Sequence, residues 1–177
     1  MKYSIIGAGI GGLSIALAFE KLGIDYHIYE KSPVLNEVGA GIWLAPNALQ
    51  ILEYLNLLEE VKSTGNSIDR ITIGKRDLTP ISDTDQQFVK EHFGYSSIAI
   101  HRAKLQNLLF NKIPSSKITL GKGFKSYEEL ADQKLKITFE DNSQAITDFI
   151  IGADGIKSKV RNQLFPDSQI RYTGQTC

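Results

Sequence analysis

The sequence predicts an α/β protein built around a parallel sheet, and three observations lead to this prediction. A short apolar strand at residues 2–6 runs into a glycine-rich turn and then into an amphipathic helix over 13–22. A second strand follows at once, over 25–31. A further apolar strand, 149–151, again leads into a glycine turn and a helix. Strands that alternate with helices in this way are typical of parallel sheets.

Length and composition are those of an ordinary globular protein with one domain, or one domain and part of a second. The chain has 177 residues, of which 42% are hydrophobic and 23% are charged. Its 20 basic and 20 acidic residues cancel, which argues against a nucleic-acid partner and against an anionic membrane surface. A single cysteine, Cys177, and three histidines argue against a disulfide framework and a zinc site. We therefore expect no bound metal and a reducing, cytoplasmic location.

The apolar opening segment, residues 3–19, has an alternative interpretation as a targeting signal or a membrane span. It is short for a span, and four glycines interrupt it. Only Lys2 precedes it as a positive charge, and no site typical of signal cleavage follows. We therefore expect neither a signal peptide nor a membrane segment.

The glycine-rich turn matches the pattern G-x-G-x-x-G at Gly7, Gly9 and Gly12. Gly7 would permit a tight turn, Gly9 would let the backbone approach a pyrophosphate, and Gly12 would let the helix pack closely on the strand. Glu30, 18 residues after Gly12, stands where an acid binds an adenosine ribose and repels a 2′-phosphate. The sequence thus predicts a Rossmann-like turn for an adenine dinucleotide, a pattern that fits NAD and FAD equally, with a turn that binds no ligand as the alternative.

The middle of the chain departs from the repeated strand–helix units of an NAD dehydrogenase. A long loop with Gly39 and Gly41 precedes a helix that opens at Pro46, with Ala48, Ile51, Leu52 and Leu55 predicted on one side. After it come a predicted strand over 67–74, a polar segment over 82–92, an apolar segment over 96–100 and a predicted helix from Arg102. Strands are predicted over 117–120, 123–130 and 134–151, with a turn at 141–142.

The last strand leads into the segment GADGIKSKVR. Asp154 stands where a side chain caps the first N–H groups of a helix or meets a ligand hydroxyl. Lys157 and Arg161, four residues apart, would share one face of that helix. For this pair of cations, a solvated surface is the simplest interpretation.

These motifs together resemble the N-terminal part of the group A FAD-dependent monooxygenases, the aromatic hydroxylases related to p-hydroxybenzoate hydroxylase. Four segments carry the resemblance, in the order found in that family: GAGIGGL with Glu30 and Lys31, GAGIWLAPNALQIL, IHRAKL and IIGADGIKSKVR. The resemblance implies a three-layer, Rossmann-like FAD-binding domain of the GR2 type over residues 1–177. It also implies that residues 67–100 form the first part of a β-sheet substrate domain.

The same resemblance implies roles for the glycine-rich turn and for Glu30 and Lys31, which together are called the cradle below. The FAD pyrophosphate would lie against Gly7, Gly9, Gly11 and Gly12. Glu30 would bind the adenosine ribose, with Lys31 beside it in the motif.

Further cofactor contacts are implied along the rest of the chain. Gly41 would leave room near the flavin ring, and Arg102 would offer its guanidinium to phosphate or ribityl oxygens. The backbone near Phe124 would lie against the adenine. Asp154 would serve both FAD and NAD(P)H, while the basic pair at 157 and 161 corresponds to positions that meet NADPH phosphates in some members.

The activity that the resemblance implies is hydroxylation of a small aromatic substrate with FAD, O₂ and NADH or NADPH as reductant. The cofactor would supply the chemistry, while the protein orients the reactants and excludes water. We therefore predict no catalytic side chain, and we expect His101 to be structural. Trp43 would either line the substrate cavity or pack in the core, and core packing is the interpretation we favour because tryptophan is usually well buried.

Family members continue beyond the matched segments. No glycine of this chain is followed by aspartate, so the later Gly-Asp segment that holds the ribityl-phosphate part of FAD is not in it. We therefore expect that the C-terminal half of the fold is absent, that the chain alone binds FAD weakly or not at all, and that it is inactive alone. The alternative functions are another FAD oxidoreductase of the same fold, an epoxidase or a reductase, and a non-catalytic nucleotide-binding module.

Overall fold

The structure is a computed structural model, and it describes residues 1–35 and 40–174. Among these residues, the strands are β1 (Lys2–Ile6), β2 (Asp25–Tyr29), β3 (Gly41–Leu44), β4 (Asn66–Ser67), β5 (Arg70–Gly74), β6 (Pro80–Asp85), β7 (Ile98–His101), β8 (Ile118–Thr119), β9 (Phe124–Glu129), β10 (Leu135–Phe139), β11 (Gln144–Thr147) and β12 (Phe149–Gly152). The α-helices are α1 (Ile10–Leu22), α2 (Pro46–Tyr54), α3 (Leu58–Thr64), α4 (Gln86–Phe93), α5 (Arg102–Phe110) and α6 (Lys159–Leu164), with a 3-10 helix at Ser115–Lys117. The described residues divide into two compact units, 1–35 with 109–174, and 40–108.

The first unit contains the predicted parallel sheet, with strand order β12–β1–β2–β8. β1 lies between its neighbours, so that Ile5 pairs with Ile151 on one side and with Ile28 on the other. Ile5 and Ile28 are fully buried. Because all four strands run in the same direction, their carboxyl ends meet at one edge of the sheet.

Helix α1 begins three residues earlier than predicted, at Ile10 instead of residue 13. Gly9 is in extended conformation just before it, and the two glycines that follow Ile10 are helical. The helix packs on β1 and β2 and buries Leu13. It ends at Gly23, whose φ of 66° lies in the left-handed region that glycine adopts readily.

An antiparallel sheet with strand order β11–β10–β9 forms the third layer of this unit. One buried cluster joins it to the parallel sheet and to α6; its members are Ile6, Phe124, Ile137, Phe139 and Val160. The predicted α/β class and three-layer architecture are therefore confirmed.

The second unit combines a three-stranded antiparallel sheet, of order β3–β7–β4, with the hairpin β5–β6. The buried residues of this unit come from the sheet and from the helices, and include Leu44, Leu49, Leu52, Leu58, Val61, Ile98, Ile100 and Leu105.

Two predictions for this unit are corrected, for the strand over 67–74 and for the buried side of α2. The strand over 67–74 is interrupted, because 66–67 pair with β7 whereas 70–74 pair with β6. The polar segment over 82–92 contains α4, which Asp85 caps by accepting a hydrogen bond from the N–H of Gln87 at 2.8 Å. On α2 the buried side chains are Leu49 and Leu52, through which the helix packs on α3, α4 and β3. Ile51, predicted on the same side, is 55% exposed.

Candidate functional site

Three loops of the first unit meet at the carboxyl edge of its parallel sheet. They follow β1, β2 and β12, which are adjacent strands. The N–H of Gly7 donates to the carbonyl of Tyr29 at 2.8 Å, and the N–H of Ala153 donates to the carbonyl of Ile6 at 2.8 Å. The glycine turn is thus bonded to the loops on both sides of it.

Two glycines of this turn allow the backbone to pack closely. Gly7 has a φ of +110°, and a Cβ there would lie 2.4 Å from the carbonyl oxygen of Ala153. A Cβ at Gly12 would lie 2.0 Å from the carbonyl oxygen of Gly7. Real Cβ atoms do not approach other atoms so closely, so both positions require glycine for the loops to meet.

The other two glycines instead leave space in front of the helix. A Cβ at Gly9 or at Gly11 would have no protein atom within 4 Å among the described residues. The first N–H groups of an α-helix have no partner within the helix, and no described side chain caps those of α1. The first turn also has no acidic residue. The positive end of α1 is therefore open to an anion.

Glu30 follows β2 at the same edge, and the surrounding backbone holds it in place. One carboxylate oxygen accepts a hydrogen bond from the N–H of Ala8 at 2.7 Å, and the other accepts one from the N–H of Ser32 at 2.9 Å. The backbone of Glu30 bonds to Thr119 at 3.0 Å and to Lys122 at 2.7 Å. A carboxylate has about four acceptor positions, so both oxygens keep acceptor capacity for a ligand hydroxyl.

Asp154, in the loop after β12, caps helix α6. Its carboxylate accepts hydrogen bonds from the N–H groups of Lys159 at 2.7 Å and Val160 at 3.2 Å, and from the Ser158 hydroxyl at 2.5 Å. Ser158, which is 7% exposed, also accepts a bond from the N–H of Arg161 at 2.9 Å. Ser158 was not among the predicted site residues, although a serine just before a helix is a known capping signal.

The prediction that Lys157 and Arg161 share one helix face is wrong. Lys157 is exposed and lies outside the helix, just before its N-cap Ser158. The guanidinium of Arg161 turns back and donates to the carbonyl of Ile156 at 2.8 Å. The helix begins at Lys159, later than the sequence pattern predicted, and this causes the difference.

The structure places Phe124 and Lys31 in contrasting surroundings. Phe124 is 5% exposed, so its side chain belongs to the core while its backbone forms the start of β9. Lys31 is exposed near Glu140. The ammonium of Lys159, 2.5 Å from Glu140, lowers the pKa of that carboxyl. The charge of Lys31 also lowers this pKa.

In the second unit, Gly41 and Arg102 lie together at one end of the β3–β7 pair. Gly41 pairs with His101, and the N–H of Arg102 donates to the carbonyl of Ala40 at 2.8 Å. A Cβ at Gly41 would meet no protein atom within 4 Å among the described residues. Gly39, predicted for the same loop, lies outside the described residues, as does Cys177.

The interpretation of Trp43 as a core residue is wrong. Its side chain is 57% exposed, although the next residue, Leu44, is 7% exposed. His101 is exposed as well.

Residues 1–173 match the model of a protein family described as FAD binding domain. The chain belongs to this family. The sequence resemblance to FAD-dependent aromatic hydroxylases is thereby confirmed, and the alternative of an NAD dehydrogenase is not supported.

Curated relatives of this FAD-binding domain are similar over nearly its whole length. It is 35% identical to 3-amino-4-hydroxybenzoate 2-monooxygenase from Streptomyces cremeus, over 98% of this chain and 44% of that protein. It is 34% identical to 3-hydroxybenzoate 6-hydroxylase 1 from Aquipseudomonas alcaligenes, over 97% of this chain and 45% of that protein. The chain therefore spans less than half the length of these two relatives.

A solved structure shares the fold of the domain. HpxO from Klebsiella pneumoniae, determined in complex with FAD and uric acid, is 31% identical with a TM-score of 0.81. The match covers 92% of this chain and 41% of that one.

The described residues contain neither a metal-binding cluster nor a membrane-spanning helix. No group of three or more His, Cys, Asp or Glu side chains in 1–35 and 40–174 is arranged to hold a metal ion. Within the same ranges, every helix is too short or too polar to cross a membrane.

Proposed function

We propose that this domain holds FAD in an enzyme that hydroxylates a small aromatic substrate with O₂ and NADH or NADPH. The observation that carries the proposal is the open, uncapped start of α1, where Gly9 and Gly11 leave space for a ligand. The names of the relatives, which include two hydroxylases of substituted benzoates, support the reaction and the substrate class. When bound, FAD supplies the redox chemistry of such a hydroxylation.

The residues of the first unit fit the adenosine and pyrophosphate parts of FAD. The free N–H groups and positive end of α1 suit the pyrophosphate, and a side chain at Gly9 or Gly11 would fill the space that it needs. Glu30 suits the ribose hydroxyls, since its carboxylate is already fixed beside the turn. The same charge would repel the 2′-phosphate of NADPH. Lys31 and the backbone at Phe124 are proposed to contact the adenosine.

Other residues are proposed to act on the cofactor from elsewhere in the chain. Gly41 would leave room beside the flavin, and the five donors of the Arg102 guanidinium suit phosphate or ribityl oxygens. Asp154 would act through the loop that it fixes, because both of its oxygens already bond to the start of α6. Lys157 and Arg161 remain proposed contacts for NAD(P)H.

Residues 67–100 are proposed as the first part of the substrate domain. The hairpin β5–β6 lies in this range, and all of its residues except Ile71 are exposed. Such a two-stranded sheet is stable only when other elements pack on it.

The test is FAD binding by the complete gene product and by its Gly9→Ala variant. The added methyl meets no protein atom, so the free energy of unfolding should fall by no more than about 1 kcal/mol, the difference between glycine and alanine at an N-cap. The dissociation constant for FAD should rise at least about tenfold, because the methyl lies in the pyrophosphate space. Calorimetric titration measures both variants, and NADPH serves as a competitor. Equal affinity of the two variants, or equal displacement of FAD by NADPH, would contradict the proposal.

A further inference from the structure

The three-stranded sheet of the second unit has one buried and one exposed face. Side chains alternate along a strand, and directly opposite residues of paired strands point to the same side. Leu44, Ile98 and Ile100 form the buried face, with exposed fractions of 7%, 4% and 4%. Trp43 and Gly41 belong to the other face of β3.

Trp43 has small neighbours on that face. Its cross-strand partner on β7 is Ala99, and Gly41 lies two positions before it on the same side of β3. Neither neighbour has a side chain long enough to cover the indole ring, which explains its 57% exposure. The remaining neighbour is His101, opposite Gly41, whose imidazole is exposed.

The position of Trp43 differs from that of other exposed aromatic residues. Phe88 and Phe93 are 58% and 56% exposed, but both lie on α4 among polar side chains. Trp43 instead stands on a strand that hydrogen bonds to β7 along its length. It also lies on the same face as Gly41, a proposed flavin contact, and that strand is joined to Arg102 through Ala40. A flat aromatic side chain therefore stands on a paired strand beside two proposed cofactor residues.

We propose that Trp43 contacts the substrate and selects for a planar aromatic ring, which stacks on the indole, with His101 as a polar neighbour for a ring substituent. This inference rests on the proposed function and names the residue that would recognise the substrate class. Stacking stabilises an aromatic pair beyond the stabilisation that the burial of its area provides. That gain corresponds to a preference of about twofold to tenfold for a planar ring over a saturated ring of similar size.

The experiment uses the complete gene product with FAD bound, and two probes that differ in planarity. Benzoate and cyclohexanecarboxylate carry the same charge and the same number of non-hydrogen atoms. Calorimetric titration of both probes, and of 3-hydroxybenzoate, is carried out on the wild type, on Trp43→Leu and on the control Phe165→Leu, whose ring is 58% exposed and lies outside residues 67–100. The FAD content of each variant is measured by absorbance before the titration.

We expect the wild type and Phe165→Leu to prefer benzoate to cyclohexanecarboxylate, and Trp43→Leu to lose that preference while it retains FAD. Retention of the preference in Trp43→Leu would overturn the inference, as would a wild type that binds none of the three probes while FAD is bound. Loss of FAD from the wild type itself would instead contradict the proposed function. A further measurement guards against a folding defect. The fluorescence of Trp43 itself is obtained by subtracting the fluorescence of Trp43→Phe from that of the wild type. Acrylamide should quench this fluorescence less strongly when benzoate is present. Quenching that is unchanged by benzoate would also count against the inference.

Discussion

The carboxylate of Glu30 accepts a hydrogen bond from the backbone N–H of Ala8, at 2.7 Å, and this bond joins the end of β2 to the glycine turn after β1. Its second oxygen accepts from the N–H of Ser32. The acid that is proposed to bind the ribose is therefore also part of the structure of the cradle. Substitutions at this position should affect stability as well as binding.

Glu30→Gln should destabilise the chain by about 1–3 kcal/mol. The glutamine amide keeps one acceptor oxygen but turns an N–H₂ group towards one of the two backbone donors, which loses its partner. Urea unfolding of the 177-residue chain measures the change. Glu129→Gln is the matched control, because Glu129 is exposed and no hydrogen bond to its carboxylate is found among the described residues. Equal stability of the two variants would mean that the Glu30 bonds contribute nothing.

Substitution by alanine should have different effects on stability at two neighbouring glycines of α1. Gly12→Ala would place a methyl 2.0 Å from the carbonyl oxygen of Gly7, so we expect a loss of about 2 kcal/mol or more. Gly11→Ala meets no protein atom within 4 Å and replaces a poor helix former, so stability should stay the same or rise by up to about 1 kcal/mol. Thermal unfolding of both variants tests this; a stable Gly12→Ala would show that the turn and the helix are less closely packed than described.

Asp154→Ala should cost about 1–2 kcal/mol, the usual contribution of a helix cap. The substitution removes the acceptor of two backbone N–H groups and of the buried Ser158 hydroxyl. Asp167→Ala, which changes an exposed aspartate after α6, is the control and should alter stability little. Chemical denaturation of the apo chain measures both. An unchanged stability of Asp154→Ala would favour a role confined to ligand binding.

The stability of the chain should fall as the pH drops below about 6.5, in part because of His27. Burial lowers the pKa of His27 below its usual 6.5, and the positive charge of Lys2 lowers it further. The unfolded state therefore binds a proton at a higher pH than the folded state does, which favours unfolding in that range. His27→Gln should make the pH dependence less steep between about pH 7 and pH 5.

Urea unfolding at a series of pH values measures this effect. His92→Gln is the control, since His92 is exposed on α4. His27 is also bonded through Nε2 to the hydroxyl of Thr119 at 2.8 Å, so the variant lowers the overall stability as well. The prediction concerns the slope, and an identical slope in wild type and His27→Gln would contradict it.

The sequence was most informative where structure depends on local pattern. β1 has its predicted bounds at Lys2–Ile6, and α2 begins at Pro46 as predicted, because strand alternation and an N-terminal proline are local signals. The turn at Asp141–Asn142 also forms, with Asn142 at a φ of 62°. The cradle was recognisable because each glycine stands at a fixed spacing within one strand–turn–helix unit.

The features that the sequence did not reveal depend on partners far along the chain. The strand over 67–74 reads as continuous, but its two parts pair with different strands. The exposure of Trp43 results from Ala99, which is 56 residues away and which no local pattern connects to it. Whether Asp154 caps a helix or binds a ligand was equally open, since both roles use the same residue type at the same place.

The position of β1 between β2 and β12 has a consequence for synthesis on the ribosome. Lys2 bonds to Asp148, which is 146 residues away, so β1 must wait for β12 before its second edge is paired. At about 5–20 residues per second, that interval is on the order of ten seconds. Throughout it, the nascent chain presents an unpaired apolar strand edge, so this domain should depend on chaperones during translation more than a fold assembled from sequential hairpins does.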